Sequence, residues 1–211
     1  MELDALRRIE SESDLRTIIG DPLPVVRSKI TTSVNSATRL FVERSPFVLL
    51  ATSSKDGRCD VSPRGDPAGF VRILNDQTLL VPERPGNKLA DTLLNIISNG
   101  HIGILFVVPG VGDTFRVNGR AFLTDDAALL EPSAVEERVP KLGIVVEIEE
   151  AYTQCSKAFL RSDLWNPEGF QDRSTFPTGG EIMRVINGES FDAGAYDVQR
   201  NERYARRDGF Y

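Results

Sequence analysis

The five residues from Arg84 to Lys88, Arg-Pro-Gly-Asn-Lys, form the segment of this sequence best suited to bind an anion. They precede a stretch, 88–98, whose apolar residues have the spacing of an amphipathic helix. The first N–H groups of a helix have no partner within it, and its dipole favours negative charge there. Basic residues at that end are otherwise unfavourable. The segment predicts a phosphate site with Arg84, Asn87 and Lys88 as candidate ligands; the alternative is a solvated loop in which Asn87 only caps the helix.

A second candidate segment is 62–70, which holds two prolines and two glycines among nine residues. These residue types fix an irregular backbone at the end of a predicted strand. The backbone groups from Ser62 to Gly65 could bind the polar edge of a planar ligand. The alternative is a wide surface loop in which Arg64 pairs with Asp66.

Two further groups of basic residues could reach an anion. Arg116 and Arg120 share one face of a predicted strand, a face that could instead meet solvent. Lys157 and Arg161 are four residues apart on a predicted helix, so they repel each other unless an anion or a carboxylate lies between them. Trp165 is the single tryptophan, and core packing is its default role.

The elements that must position these residues are mostly short strands. An Asp56-Gly57 turn joins two strand-like segments, 47–52 and 59–62, and Pro63 is expected to end the second. Another hairpin spans 69–81, the helix 88–98 follows it, and further strands are predicted at 102–108, 114–123 and 144–148. Hairpin connections with a single internal helix predict a mainly β, α+β protein built as a small barrel of about six antiparallel strands.

Composition excludes several classes of function. A net charge of −6 argues against nucleic-acid binding, and the two cysteines and one histidine argue against Cys-rich or His-rich metal sites and His-based triads. Chemistry would therefore depend on a bound cofactor. No apolar run approaches the roughly 20 residues that span a bilayer, and the acidic N-terminus lacks the features of a signal peptide. We expect a cytoplasmic protein with no membrane or nucleic-acid partner.

In order and spacing, these segments resemble the pyridoxamine 5′-phosphate oxidase-like split-barrel flavoproteins, and most closely the bacterial branch of FMN-dependent enzymes. The resemblance runs from about Pro46 to Trp165. It is carried by Ala-Thr-Ser at 51–53, Ser-Pro-Arg-Gly-Asp at 62–66, Arg-Pro-Gly-Asn-Lys at 84–88, Phe-Arg-Val-Asn-Gly-Arg-Ala at 115–121 and Cys-Ser-Lys-Ala-Phe at 155–159. It implies a six-stranded antiparallel split barrel, a homodimer with two FMN molecules at its interface, and an oxidoreductase acting on a small molecule.

The resemblance also implies roles for individual residues. Those expected along or beside the flavin ring are Ser62, Pro63, Arg64, Gly65, Val81 and Pro82. Asn87 and Lys88 would hold the phosphate with help from Arg116, and the partner subunit would supply Lys157, Arg161 or Trp165. Asn87 stands where the oxidase has an arginine, leaving Arg84 as a substitute, and the C-terminal Asp-Gly-Phe-Tyr replaces its substrate-contacting Arg-Leu-x-Pro segment. Vitamin B6 oxidation is therefore not predicted.

Three parts of the chain are expected: an N-terminal helical segment packing on the barrel (1–45), the FMN-binding split barrel (46–165), and a C-terminal loop and helical extension (166–211). Two other functions stay open. One is a flavin-binding or haem-binding protein without turnover, although His101 at the start of a strand is a poor candidate for an axial haem ligand. The other is a reductase that uses the deazaflavin F420.

Overall fold

The computed structural model describes residues 2–211 and has a seven-stranded antiparallel sheet at its centre. The strands, in chain order, are β1 (Phe47–Ser53), β2 (Cys59–Gly65), β3 (Arg72–Asn75), β4 (Thr78–Glu83), β5 (His101–Val107), β6 (Thr114–Thr124) and β7 (Leu142–Gln154). Their order across the sheet is β2-β1-β5-β6-β7-β4-β3, so β2 and β3 are the two edges. In the described chain no ladder joins these edges, and the barrel is therefore split.

Eight α-helices of the described residues flank the sheet: α1 (Glu12–Ile19), α2 (Pro24–Ser28), α3 (Arg39–Arg44), α4 (Asp91–Ser98), α5 (Ala127–Leu130), α6 (Lys157–Ser162), α7 (Gly179–Asn187) and α8 (Ala193–Ala205). Short 3-10 turns occur at Leu3–Ala5, Glu131–Ser133, Pro167–Gly169 and Arg173–Thr175. None of the helices within residues 2–211 has the length and apolarity that crossing a bilayer requires.

Strand alternation explains the core. Along β1, Val48, Leu50 and Thr52 face inward, and their neighbours in the sequence are more exposed. Inward-facing residues of β4, β5, β6 and β7 complete one large apolar cluster, with Phe106 and Phe115 at 5.7 Å between ring centroids. The longest pairing joins β6 and β7 and contains a bulge between Asn118 and Gly119. The sheet therefore forms a rigid frame from which loops can present polar groups.

The mainly β split-barrel prediction is confirmed, but the predicted count of six strands is one too low. The hairpin predicted at 69–81 forms β3 and β4, and β3 is a short strand that pairs only with β4 at the edge of the sheet. Pro63 also does not end β2 as predicted, because the strand continues to Gly65. Proline cannot donate to a ladder, but an edge strand has a free side on which no donor is needed.

Two helix starts are well defined in the structure. Ser11 caps α1, and its side chain accepts a hydrogen bond from the Asp14 N–H. Helix α4 begins at Asp91, three residues later than predicted, because Lys88 and Ala90 adopt left-handed φ angles of 65° and 61°. A right-handed helix cannot run through such residues.

The terminal helices pack little against the sheet. Helices α1 and α2 bury none of their residues. The side chains of Lys29 and Thr31, which follow α2, donate hydrogen bonds to backbone carbonyls of β7. Helices α7 and α8 pack on each other, and the chain then returns to the barrel, where Tyr211 donates a hydrogen bond to Asp66.

Candidate functional site

Two ion pairs connect opposite parts of the sheet. Arg64 in β2 lies 3.3 Å (Nη2 to Oε2) from Glu83 at the end of β4, and Arg84 Nε donates to Asp66 Oδ2 at 2.6 Å. Strand β2 is one edge and β4 is next to the other, so these pairs span the opening of the split barrel. We call this region, residues 64–66 together with 83–84, the seam.

A cavity of about 530 Å³ lies at the seam, and we call it the seam cavity. Its lining comes from β2, from Glu83, from the loop that follows, and from the first turn of α4. The lining residues are Asp60, Ser62, Arg64, Glu83, Gly86, Asn87, Lys88, Leu89, Ala90, Asp91, Thr92 and Leu93. The β2 residues are alternate ones, because side chains on one face of a strand recur every second position.

The loop 84–90 places a helix N-terminus at this cavity. Asn87 does not cap α4: its side-chain oxygen accepts a hydrogen bond from the Leu89 N–H, which closes a local turn. Ala90 occupies the cap position and has no side-chain oxygen to offer, so α4 begins without a side-chain cap. The first-turn N–H groups are consequently open to a ligand, which is the arrangement that binds phosphate in other helices.

Arg64 and Glu83, the charged pair at the seam, leave some of their hydrogen-bonding atoms without a partner. Their side chains are only 23% and 17% exposed, and Arg64 Nε and Glu83 Oε2 are buried without a hydrogen-bond partner among the described residues. The 3.3 Å approach is therefore an ion pair without good hydrogen-bond geometry. Burial raises the pKa of Glu83, and the nearby charge of Arg64 lowers it by a smaller amount. Unsatisfied buried groups are rare in native proteins and often mark ligand sites.

Arg84 has a different environment. Besides Asp66, its Nη2 donates to the Ser133 carbonyl at 2.7 Å, and its guanidinium lies 5.2 Å from the Tyr211 ring centroid. Tyr211 in turn donates to Asp66 at 2.9 Å, and its pKa is raised by burial and by that hydrogen bond. Arg84 does not line the seam cavity, although its place in the sequence suggested a phosphate ligand.

Four of the remaining predicted residues, Pro63, Gly65, Val81 and Pro82, lie beside the seam cavity. A smaller cavity of about 170 Å³ adjoins the seam and is lined in part by Pro63, Gly65 and Pro82. Val81 is fully buried in the core behind these residues. This group therefore lies beside the seam cavity, with Val81 as support rather than lining.

Arg116 and the three residues expected from a partner lie outside the seam cavity of their own chain. Arg116 donates to the Tyr152 hydroxyl and to Gln154 Oε1, at 3.1 and 2.7 Å. Trp165 donates its Nε1–H to the Val111 carbonyl at 3.0 Å and stacks on Phe159, within the segment that carries Lys157 and Arg161. One copy of the chain thus brings Ser62, Arg64, Asn87 and Lys88 together, but not these four.

Four residues of the site were not predicted from the sequence: Asp60, Glu83, Thr92 and Tyr211. Asp60 accepts a hydrogen bond from the buried hydroxyl of Thr92 at 2.7 Å, which ties β2 to α4. Asp60 shares the β2 alternation with Ser62 and Arg64, so its place on that face was predictable. Tertiary folding brings Glu83 and Tyr211 to the seam, and no local sequence pattern identifies either as a site residue.

Residues 34–155 match the sequence family described as pyridoxamine 5′-phosphate oxidase. This match covers more than half of the 211 residues and all seven strands. The chain belongs to the pyridoxamine 5′-phosphate oxidase family. No curated protein sequence matches it.

Several solved structures are similar to part of the chain. HupZ from Group A Streptococcus is 21% identical, with a TM-score of 0.47, over 57% of this chain and 93% of that one. An FMN-binding protein from Syntrophomonas wolfei is 12% identical, with a TM-score of 0.43, over 56% and 83%. HutZ, a haem storage protein from Vibrio cholerae, is 13% identical, with a TM-score of 0.39, over 55% and 91%. Similarity at this level does not specify what the present chain binds.

Proposed function

We propose that the chain is a flavoprotein that holds FMN in the seam cavity. The observation that carries this proposal is the convergence on one cavity of three anion-binding features: the uncapped N-terminus of α4, Lys88, and Arg64 with its unpartnered Nε. FMN has a phosphate at one end and a flat ring with a polar edge at the other. A cavity of about 530 Å³ is within the roughly 300–1,000 Å³ range of ligand pockets.

Each end of FMN has suitable partners in this cavity. The phosphate would lie against the first turn of α4, with Lys88 supplying charge and Asn87 holding the loop conformation. The ring would lie along β2 from Ser62 to Gly65, with Pro82 beside it and Val81 supporting that wall. Arg84, already paired with Asp66, would keep the seam in place rather than contact the phosphate directly.

FMN, when bound, supplies hydride or electron transfer, and we propose an oxidoreductase that acts on a small molecule. The residues of the chain would bind the cofactor, orient it and limit the access of water. We further propose that a second copy completes the site. Arg116, Lys157, Arg161 and Trp165 are absent from the seam cavity of their own chain, and a homodimer would let them face the cavity of the partner.

Haem binding and use of F420 are the alternatives, and one contact weakens the first. His101, the single histidine, is absent from the lining of the seam cavity, and its Nε2 lies 2.6 Å from Arg120 Nη1. A guanidinium can only donate, so this nitrogen acts as an acceptor and is not free to ligate iron. Within residues 2–211, His, Cys, Asp and Glu side chains form no cluster of three or more suited to a metal ion.

The test is the absorbance spectrum of the purified protein, followed by mass analysis of any released cofactor. We expect flavin bands at about 370 and 450 nm and the mass of FMN, since the cofactor carries the chromophore. A colourless preparation would be titrated with FMN, F420 and haem in parallel. Binding of F420 or haem in preference to FMN, or of none of the three, would refute the proposal.

A further inference from the structure

The two arginines of the seam differ in how their donors are used. Arg84 has a carboxylate, a carbonyl and an aromatic ring around its guanidinium. Arg64, on β2, has only the ion pair with Glu83, and its side chain makes no hydrogen bond within residues 2–211. A guanidinium carries five N–H donors in a fixed fork. Arg64 therefore keeps donors available for a ligand in the seam cavity.

Within residues 2–211, Glu83 is the charged partner of Arg64. Its carboxylate is a weak partner, because Oε2 approaches to 3.3 Å without forming a hydrogen bond. An anionic ligand group with better geometry would compete with it for the same guanidinium. Two anions cannot share one guanidinium in a poorly solvated cavity without mutual repulsion.

We propose that Glu83 is a proton-controlled competitor for Arg64, so that Arg64 joins Lys88 in binding the phosphate of the ligand once Glu83 is protonated. This inference rests on the proposed function, because FMN is taken as the ligand. Ionised Glu83 keeps Arg64 paired within the seam, whereas neutral Glu83 leaves the Arg64 guanidinium available to a ligand in the seam cavity. Glu83 thereby sets the pH range in which the site is charged for anion binding.

The charges around Glu83 are consistent with this role. On the side of the seam cavity it shares the lining with Asp60, Arg64, Lys88 and Asp91. Of these, Asp60 is held by Thr92. In the ligand-free chain, burial of Glu83 outweighs the charge of Arg64 and keeps the carboxyl pKa above its ordinary value of 4.5.

Glu83 also borders a second cavity of about 610 Å³ on its other side. The charged or titratable groups there are Arg84, Arg138, Lys141 and Tyr211. Arg84 is neutralised by Asp66, and Arg138 Nη1 donates to the terminal backbone oxygen of Tyr211. Lys141 enters no ion pair within residues 2–211, so protonation of Glu83 removes the negative side-chain charge from this wall.

The sign of the pH effect follows from the competition. An anion on Arg64 disfavours ionised Glu83, so ligand binding takes up a proton and the affinity rises as the pH falls through the Glu83 titration. The phosphate of FMN loses charge near pH ~6, which acts in the opposite direction. That second effect belongs to FMN and cancels when two protein variants are compared at the same pH.

The experiment measures the Kd of FMN by quenching of flavin fluorescence, for the wild type and Glu83→Gln, at about pH 5.5 and about pH 8. Glutamine keeps the size of the side chain and cannot ionise. We expect Glu83→Gln to bind FMN about tenfold more tightly than the wild type at the higher pH, with a smaller gain at the lower pH. Glu149→Gln, at an exposed position of β7, is the matched control and should behave as the wild type.

Two results would overturn the inference. One is an equal Kd for the wild type and Glu83→Gln at both pH values, with FMN binding intact; the proposed function would then stand alone. The other is an unchanged gain from Glu83→Gln when Arg64→Gln is also present, because the effect must pass through Arg64. If no variant binds FMN, the proposed function itself fails. Should Glu83→Gln not fold, Arg64→Gln alone must flatten the pH dependence of the Kd relative to the wild type.

Discussion

Asp66 is the central side chain of the seam. Its side chain is 1% exposed and accepts hydrogen bonds from both Arg84 and Tyr211. A buried charge pair of this kind adds little net stability compared with an apolar pair, but removal of one partner leaves the other charge buried and unpaired. The seam should therefore be sensitive to the loss of this carboxylate.

We expect Asp66→Asn to lower the free energy of unfolding by about 3 kcal/mol, because Arg84 is only 14% exposed and would lose its counter-charge. Urea denaturation followed by circular dichroism measures this change. The matched control is Asp76→Asn, which removes an exposed ion pair with Arg39 and should cost less than about 1 kcal/mol. Equal effects of the two substitutions would show that the seam pair is not structurally important.

Lys88 tests the proposed phosphate contact. We expect Lys88→Ala to weaken FMN binding by about 1.5–3 kcal/mol, because one charge-assisted hydrogen bond is lost. Alanine retains the Cβ, so the left-handed φ of 65° is equally demanding in both proteins. Lys55→Ala, in the exposed turn between β1 and β2, is the control and should bind FMN normally. An unchanged Kd for Lys88→Ala would remove Lys88 from the site.

At the scale of secondary structure, the site is built from the end of β4, the sheet edge β2 and the irregular loop before α4, and not from the regular middle of the sheet. Strand β2 contributes an edge, β4 ends at Glu83, and the loop to α4 contains two non-glycine residues with left-handed φ. Such backbone is costly and persists only where the surrounding structure holds it. Here the Asn87 turn and the bond between Thr92 and Asp60 hold the two ends of the loop.

The β6–β7 bulge leaves no room for a side chain at Gly119. A Cβ at Gly119 would collide with the backbone carbonyl of Glu147 on the neighbouring strand. We expect Gly119→Ala to destabilise the protein by about 1–3 kcal/mol, because the two strands would have to move apart. Gly169→Ala is the control, since a Cβ there would meet no neighbouring atom of the described chain. A melting temperature for Gly119→Ala equal to that of the control would contradict so close an approach of the two strands.

In the molecule as a whole, exposed apolar residues point to association between copies. Leu15, Ile18 and Ile19 of α1 are 41–64% exposed, and Val185 of α7 is 85% exposed. Large apolar surfaces are unusual on monomers and often mark interfaces. Together with four predicted cofactor residues outside the seam cavity of their own chain, this supports the proposed homodimer.

We expect light scattering to give a mass of about 47 kDa, twice the 23.3 kDa of one chain. Cofactor analysis of the same sample should give one FMN per chain. Trp165→Ala should weaken FMN binding if the partner completes the site, and Trp165 fluorescence provides a separate check of folding in the wild type. A monomer that binds FMN with full affinity would exclude the shared site.

Local features of this protein were predictable from the order of its residues. The strand periods, the Asp56-Gly57 turn and the amphipathic pattern before Ser98 arise from interactions between residues close in the chain, and they were enough for the split-barrel class. Ser62, Arg64, Asn87 and Lys88 line one cavity for the same reason: each lies near the end of an element that sequence patterns locate. Their role in cofactor binding remains a prediction. The domain divisions drawn from the sequence remain predictions.

The pairing of the charges, in contrast, emerged only from the folded chain. Arg84 was assigned to a phosphate because Gly86 and Lys88 are its neighbours in sequence, yet it pairs with Asp66, which is 18 residues away, and Tyr211 joins them from the end of the chain. Glu83 meets Arg64 because the sheet curves until its two sides approach. Electrostatic pairing depends on distance in space and on burial, and neither quantity is encoded in the local pattern of residues.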